Sequence, residues 1–408
     1  MEQYDYLVLG AGPAGLSFAC HMLELTGKKK RLLVLEKEQE AGGLCRSAMV
    51  DGAPLDIGGG HFLDVKRPKV NEFLFRYMGK EEWNRYQRDS RIQIHGHTIS
   101  YPIEANIWQF SLEEQVAYLK SIAVAGCNTG EEMPREFVKW IYWKLGDKIA
   151  EDYMLPYNRK MYGKELSRLG TYWMEKLPQV SFEDTLRSCL QKKAYGKNPG
   201  HTEFFYPAKY GFGELWRRMA QSISEHMVYG ADVCGIDFTE GKVLCRNGET
   251  YWGKRIITTI PWTCFEFMEG IPLETYNLVS QLKHTGIVVQ YFKENLKTDA
   301  QWIYFPDESI PYHRILVRHN FCRTGNGYWT ETNKDRFVGS RENAFVNEYA
   351  YPLNTVEKPD IMNRLLNQAA DKKVTGLGRW GEHQHYNSDA VVERALRLAE
   401  IMGRKKDE

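Results

Sequence analysis

The sequence predicts an α/β fold: a Rossmann-type domain, an inserted and mainly helical region, and an antiparallel β-sheet domain. Three observations predict it. The chain opens on a strand, glycine turn, helix, strand unit. Helical spacing of apolar residues then dominates up to about residue 177. Short β-rich segments return in the second half.

Asp5 to Leu9 reads DYLVL, a short apolar strand, and Gly10, Gly12 and Gly15 come next in the spacing G-x-G-x-x-G. A helical stretch, Leu16 to Leu25, and a second apolar strand, Arg31 to Leu35, lead to Glu36. Each part has a physical task in a dinucleotide-binding unit. Gly10 permits the tight turn, Gly12 lets the backbone approach a pyrophosphate, and Gly15 lets helix and strand pack closely. Pro13 and Ala14 lie in the same turn as cofactor-binding candidates, and the helix N-terminus after it offers free N–H groups and a positive dipole end to the phosphates. Glu36, with Lys37 beside it, places a carboxylate where both ribose hydroxyls can donate to it, which disfavours NADP.

Two further glycine clusters separate FAD from NAD. Ala41-Gly42-Gly43-Leu44 comes first, then Asp56-Ile57-Gly58-Gly59-Gly60-His61. Gly43 and Leu44 let backbone lie against a bulky cofactor without a Cβ in the way. Gly59 and Gly60 allow a second close approach, along an isoalloxazine ring. Both clusters in this order point to FAD.

Composition sets bounds. The chain has 408 residues with 43% hydrophobic and 26% charged content, enough for two or three domains with large cores. A net charge of +1 provides no global field for nucleic acid or an anionic membrane, so an acidic substrate must meet local cations. Eight scattered cysteines without a C-x-x-C pair read as reduced thiols of a cytoplasmic protein. The acidic start MEQYDY has no signal-peptide pattern, and no apolar run approaches the length of a membrane span.

The FAD-binding domain is assigned to 1–64, 204–264 and 365–408, the helical insertion to 65–203, and the β-sheet substrate domain to 265–364. Helices are predicted at Lys69–Tyr77, Leu112–Ala125, Met133–Trp143, Lys148–Met161 and Gly213–His226, with a last one at Ala390–Met402. A hairpin is predicted over Arg91–Ile94 and Thr98–Tyr101, turning at His95-Gly96-His97. Val233–Phe238, Lys242–Arg246 and Glu249–Trp252 read as a meander, and Arg255–Ile260 as a separate buried strand. Gly286–Phe292, Trp302–Phe305, Ile315–Val317 and Tyr328–Thr332 read as strands of the second sheet. Glu382-His383-Gln384-His385 looks metal-like, but without a further ligand motif it reads as a solvated loop.

Over nearly its whole length the chain resembles the UDP-galactopyranose mutases, above all the eukaryotic type, within the amine-oxidase/protoporphyrinogen-oxidase-like FAD superfamily of GR2-like flavoproteins. The resemblance is carried by GAGPAGL (10–16), GGL (42–44), DIGGGH (56–61), YPIEANI (101–107), MLPYNRKMYG (154–163) and FFYPAKYGFGELW (204–216). IITTIP (256–261), WIYFPDESIPYHR (302–314), YAYPLNTVE (349–357) and GLGRW (376–380) complete it. It implies interconversion of pyranose and furanose forms of a nucleotide sugar, with reduced flavin N5 as the nucleophile at the anomeric carbon. FAD active in its reduced form, a nucleotide-sugar substrate and a flavin reductant (NADPH, NADH or another) are then the implied partners.

Carried over position by position, Arg314 is the diphosphate clamp, and Lys176 falls where a second diphosphate arginine stands. Lys keeps the charge but loses the fork. Tyr304 and Tyr351 match tyrosines at the diphosphate. His61 lies beside the flavin, Val233 and Gly378 fall on the cofactor side, and Asn158 and Lys160 lie near the substrate. The chain also departs from the pattern. The stretch from Cys322 to Tyr349 is short, Phe321 stands where a tyrosine is common, and Glu382 would set an acid near the diphosphate. These departures leave the sugar open. They also leave a redox flavoenzyme, or a flavoprotein that binds a nucleotide sugar without turnover, as alternatives.

Overall fold

Strand Gln3–Leu9 lies at the centre of the first sheet, paired in parallel with Leu32–Glu36 on one side and Thr250–Thr258 on the other. The computed structural model describes residues 3–174, 177–196 and 202–404. All five residues of Leu32–Glu36 are buried, as a parallel strand covered on both faces requires. Successive side chains alternate between two cores. Val8 and Val34 pack with Leu16 and Phe18 of helix Pro13–Leu25 and with Val392 of helix Ser388–Arg404. Leu7, Leu9, Leu33 and Leu35 pack with Ile361 and Leu365 of helix Lys358–Asp371 on the opposite face. The first sheet runs in the order Met227–Tyr229, Leu32–Glu36, Gln3–Leu9, Thr250–Thr258, Lys242–Cys245, Val233–Asp237 and Phe267–Glu269, with Val374–Gly376 also on Thr250–Thr258.

One prediction needs correction here. Glu249–Trp252 and Arg255–Ile260 are not two strands; they belong to the single strand Thr250–Thr258. Its first half pairs antiparallel with Lys242–Cys245 and its second half parallel with Val374–Gly376. Gly253 sits where the partner changes, and a Cβ there would come within 2.7 Å of Leu7 Cβ. Gly253 and Lys254 interrupt the apolar run, which is why the sequence reads as a break.

The second sheet has seven strands, ordered Ala344–Pro352, His284–Phe292, Tyr328–Asn333, Arg314–Leu316, Trp302–Tyr304, Ser90–Ile94 and His97–Ser100. The hairpin inside 65–203 thus joins the sheet that carries Arg314, through the parallel pair Ser90–Ile94 and Trp302–Tyr304. The short stretch from Cys322 to Tyr349 still supplies Tyr328–Asn333 and most of Ala344–Pro352. Helices Leu112–Ala123, Phe137–Ile149, Leu155–Tyr162 and Phe182–Gln191 follow the hairpin in sequence. All eight cysteines are free. Among the described residues no helix is long and apolar enough to cross a membrane.

Candidate active site

The glycine turn behaves as its spacing dictates. Gly10 has φ 96°, and a Cβ on Gly15 would lie 2.0 Å from the Gly10 carbonyl oxygen. A Cβ on Gly12, by contrast, meets nothing within 4 Å. The N-terminus of helix Pro13–Leu25 is capped by no side chain, so its amides face that open space. Glu36 is buried; its carboxylate accepts from Ala11 N (2.7 Å) and Glu38 N (3.0 Å), which leaves lone pairs for two ribose hydroxyls. Burial raises its pKa against those two amides. Gly43, at φ 54°, brings its own Cβ position to 3.4 Å from Gly12 Cα, so the second glycine cluster borders the same cradle. Leu44 carries the carbonyl on which Gly58 closes, since a Cβ there would be 1.9 Å from it. Val233 begins a buried strand next to Ala231, whose amide donates to the Glu36 carbonyl. Lys37 is exposed, its ammonium 3.6 Å from Glu38. Gly378 lies against Ala14, where a Cβ would approach to 2.7 Å. These groups fit an FAD: open space at the phosphate turn, free amides, and a buried ribose acid.

The glycine cluster at 58–60 is held from below by Asp56. Its carboxylate accepts from Ser47 Oγ (2.6 Å), Phe212 N (3.0 Å) and Tyr206 OH (3.1 Å). Burial pushes the Asp56 carboxyl up to about 7, opposed by these donors and by the His61 amide. His61 Nδ1 bonds the Gly59 carbonyl at 2.8 Å, so the proton sits on Nδ1 and Nε2 keeps its lone pair. Burial and the nearby Arg379 lower the His61 pKa to about 3, so the ring is neutral.

This loop, Gly58 to His61, forms one wall of a cavity of about 650 Å³. The sheet supplies another wall. Tyr304, Arg314 and Glu331 are directly opposite one another across three neighbouring strands, so their side chains share a face. Arg314 donates through Nε (2.8 Å) and Nη2 (2.5 Å) to the fully buried Glu331, and through Nη2 (3.2 Å) to Tyr351 OH. The other Glu331 oxygen accepts from Gly60 N at 3.2 Å, which ties the glycine loop to the arginine. Burial alone would lower the Arg314 pKa, but Glu331 and the surrounding tyrosines outweigh it and hold the guanidinium charged.

Arg314, Tyr304, Tyr351, His61 and Asn158 all line this cavity. Asn158 donates to the Met154 carbonyl at 2.7 Å. Lys160 does not line it; its ammonium donates to the Phe305 and Asp307 carbonyls (2.7 and 2.8 Å) and fixes the loop after Tyr304. Lys176 lies outside the described residues, though Leu177, Pro178 and Gln179 after it line the cavity.

Three expectations are corrected. Phe321 is buried among Phe62, Tyr206, Trp302 and Trp329, away from the cavity lining. Glu382 brings no negative charge to the cavity: it accepts from Gly378 N (2.9 Å) and pairs with Arg394. His383 is not a solvated loop residue; it is 2% exposed, and its Nε2 bonds the Lys283 carbonyl at 3.0 Å. Among the described residues no group of His, Cys, Asp and Glu could hold a metal.

Sequence reasoning missed three participants. Arg88 donates to Tyr304 OH (2.8 Å) and Ser90 Oγ (2.7 Å), and its guanidinium lies 4.7 Å over the Trp302 ring. Arg379 donates to the Tyr386 and Ala350 carbonyls. Both line the cavity. Glu331 was the most legible of the three, because it falls inside the predicted strand Tyr328–Thr332, and a buried acid demands a cationic partner.

The order of the first sheet and the glycine cradle define a Rossmann-type fold, with the cavity between the Gly58–His61 loop, the second sheet and the helices beside it. A family model described as an NAD(P)-binding Rossmann-like domain matches residues 8–77. Coproporphyrinogen III oxidase of Mycobacterium leprae (strain TN) is 32% identical over 95 residues, which span 23% of this chain and 21% of that protein. The chain thus spans about a fifth of the length of the curated relative it matches. Among solved structures, a reduced UDP-galactopyranose mutase superposes with a TM-score of 0.88 at 21% identity, covering 100% of this chain and 96% of that one. A protein provisionally described as a protoporphyrinogen oxidase, from Exiguobacterium sp. 255-15, superposes with a TM-score of 0.72 at 14% identity and 100% coverage of both chains. The chain shares the fold of that UDP-galactopyranose mutase structure over its whole length.

Proposed function

We propose that this protein is a flavin-dependent mutase that interconverts pyranose and furanose forms of a nucleotide sugar. The observation that carries the reading is the charge of the cavity beside the Gly58–His61 loop. Arg88, Arg314 and Arg379 line it, and Glu331 neutralises one of them. Lys66, Arg67 and Lys144 add three cations to the lining and Asp64, Glu104 and Asp389 three acids, so two positive charges remain in excess, which match a sugar-linked nucleoside diphosphate.

Glu36 and the amides around Gly12 would hold the FAD, and the Gly59–Gly60 backbone would lie along its ring system. Reduced flavin, when bound, supplies a nucleophilic nitrogen. The chain's own residues supply position and charge. Arg314, kept charged and oriented by Glu331, receives the departing diphosphate. Tyr351, its pKa raised mainly by burial, keeps a hydroxyl that donates to phosphate oxygen. The Tyr304 hydroxyl, which accepts from Arg88, is a second contact for the diphosphate. Neutral His61 adds no competing charge near the diphosphate. Tyr101, Tyr153 and Tyr157 on the cavity wall exclude water from the reacting carbon.

Arg314→Ala is expected to abolish sugar conversion while the yellow flavin stays bound. Retained turnover, or loss of the flavin, would show that Arg314 does something else. A second reading, a redox flavoenzyme, draws support from the oxidase relative and from the same aromatic wall. It predicts bleaching of oxidised flavin by an amine or ring substrate.

A further inference from the structure

We propose that the helical end of this cavity selects a guanine base, so that the ligand is a guanosine-diphosphate sugar. This rests on reading the cleft as a nucleotide-sugar site and deepens it. Starting at Arg314, the cavity wall passes through Tyr304 and Tyr101, whose rings are 5.2 Å apart, to Glu104. Glu104 and Lys144 line both this cavity and a small adjoining one among helices Leu112–Ala123, Phe137–Ile149 and Phe182–Gln191. A ligand whose phosphates meet the arginines can reach this pair with its other end.

The Glu104 carboxylate accepts only from its own amide among the described residues. Lys144 attracts it without closing an ion pair, and no other partner of either side chain is found among the described residues. Burial pushes Glu104 up to about 6, so it is mostly ionised near neutral pH and presents two acceptor oxygens. Trp140 and Trp173, on the same wall, offer flat faces for stacking.

Base chemistry then discriminates. Guanine presents two adjacent donors, N1–H and the N2 amino group, beside the acceptor O6. The two Glu104 oxygens can take both donors while the Lys144 ammonium takes O6. Uracil presents a single N–H between two carbonyls, and one of these must face the carboxylate. Adenine and cytosine each offer one amino donor beside a ring acceptor, which leaves a Glu104 oxygen unmatched.

The test is calorimetric titration of the flavin-loaded protein with GDP, UDP, ADP, CDP and inorganic pyrophosphate. GDP is expected to bind tightest, by about tenfold or more over UDP. Glu104→Gln is expected to erase that preference and leave pyrophosphate binding intact, which shows that the fold and the arginines survive. UDP binding as tightly as GDP, or an unchanged preference in Glu104→Gln, overturns the inference. If no nucleoside diphosphate binds, the inference and the mutase reading both fall. A GDP preference without sugar conversion supports the inference and sinks only the mutase reading.

Discussion

Removing Glu331 should measurably destabilise this protein. Its side chain is 0% exposed, while that of Arg314 keeps 20% exposure. Glu331→Ala strands the guanidinium without its counter-charge, and it also takes the acceptor from Gly60 N. Breaking a buried pair by deleting one partner costs about 3–5 kcal/mol. The partial exposure of Arg314 puts the expected loss at the low end, about 3 kcal/mol. For a chain of 408 residues this corresponds to about 1.2 °C per kcal/mol, so the melting temperature should fall by roughly 3–4 °C. Glu331→Gln keeps the shape and an acceptor, so its loss should be smaller, about 1.5–3 kcal/mol. The assay is scanning calorimetry on Glu331→Ala, Arg314→Ala and the double variant. The double variant should be more stable than the sum of the singles allows, since no unpaired charge remains. A melting temperature for Glu331→Ala within about 1 °C of the parent would refute the ion pair as the support of Arg314.

The same geometry sets further outcomes. Gly12→Ala should leave the melting temperature of the flavin-free protein unchanged, because its Cβ meets open space, yet weaken FAD binding in a fluorescence titration. Gly15→Ala should instead destabilise the flavin-free protein itself, since its Cβ would sit 2.0 Å from the Gly10 carbonyl oxygen. His383 should make the protein acid-sensitive. Burial and the nearby Lys358 lower its pKa from 6.5 to about 3, so the unfolded chain takes up the proton first and stability is lost as pH falls below about 6.5. His383→Gln should flatten that part of the melting temperature profile, and an unchanged slope would show that His383 does not cause it.

Much of the fold was legible because the first unit couples local pattern to topology. DYLVL, the glycines, the helix and RLLVL each demand the others, and the parallel sheet results. The hairpin at residues 90–100 was legible too, but its place in the second sheet was not, since its partner Trp302–Tyr304 lies about 200 residues on. Strand Ala344–Pro352 was missed because its first six residues are only partly buried or exposed and show no clean alternation. Arg314 could be singled out from its block, whereas Arg88, in QRDSR, carries no local signal. Its role comes from Tyr304 and Trp302, which only folding brings alongside it. Glu382 and Phe321 misled for the same reason. Each was placed near the diphosphate by its position in the family resemblance, while Arg394 and an aromatic cluster are the actual surroundings.

The central claim is that the arginine-lined cavity serves a reduced flavin acting on a nucleotide sugar without net redox change. The most direct measurement incubates the purified flavoprotein with nucleotide sugars, oxidised in one arm and dithionite-reduced in the other, and tracks furanose formation by chromatography. Conversion in the reduced arm alone, with no oxygen consumed, is the predicted result. Equal conversion in both arms, or no conversion of any sugar while an amine bleaches the oxidised flavin, would contradict it.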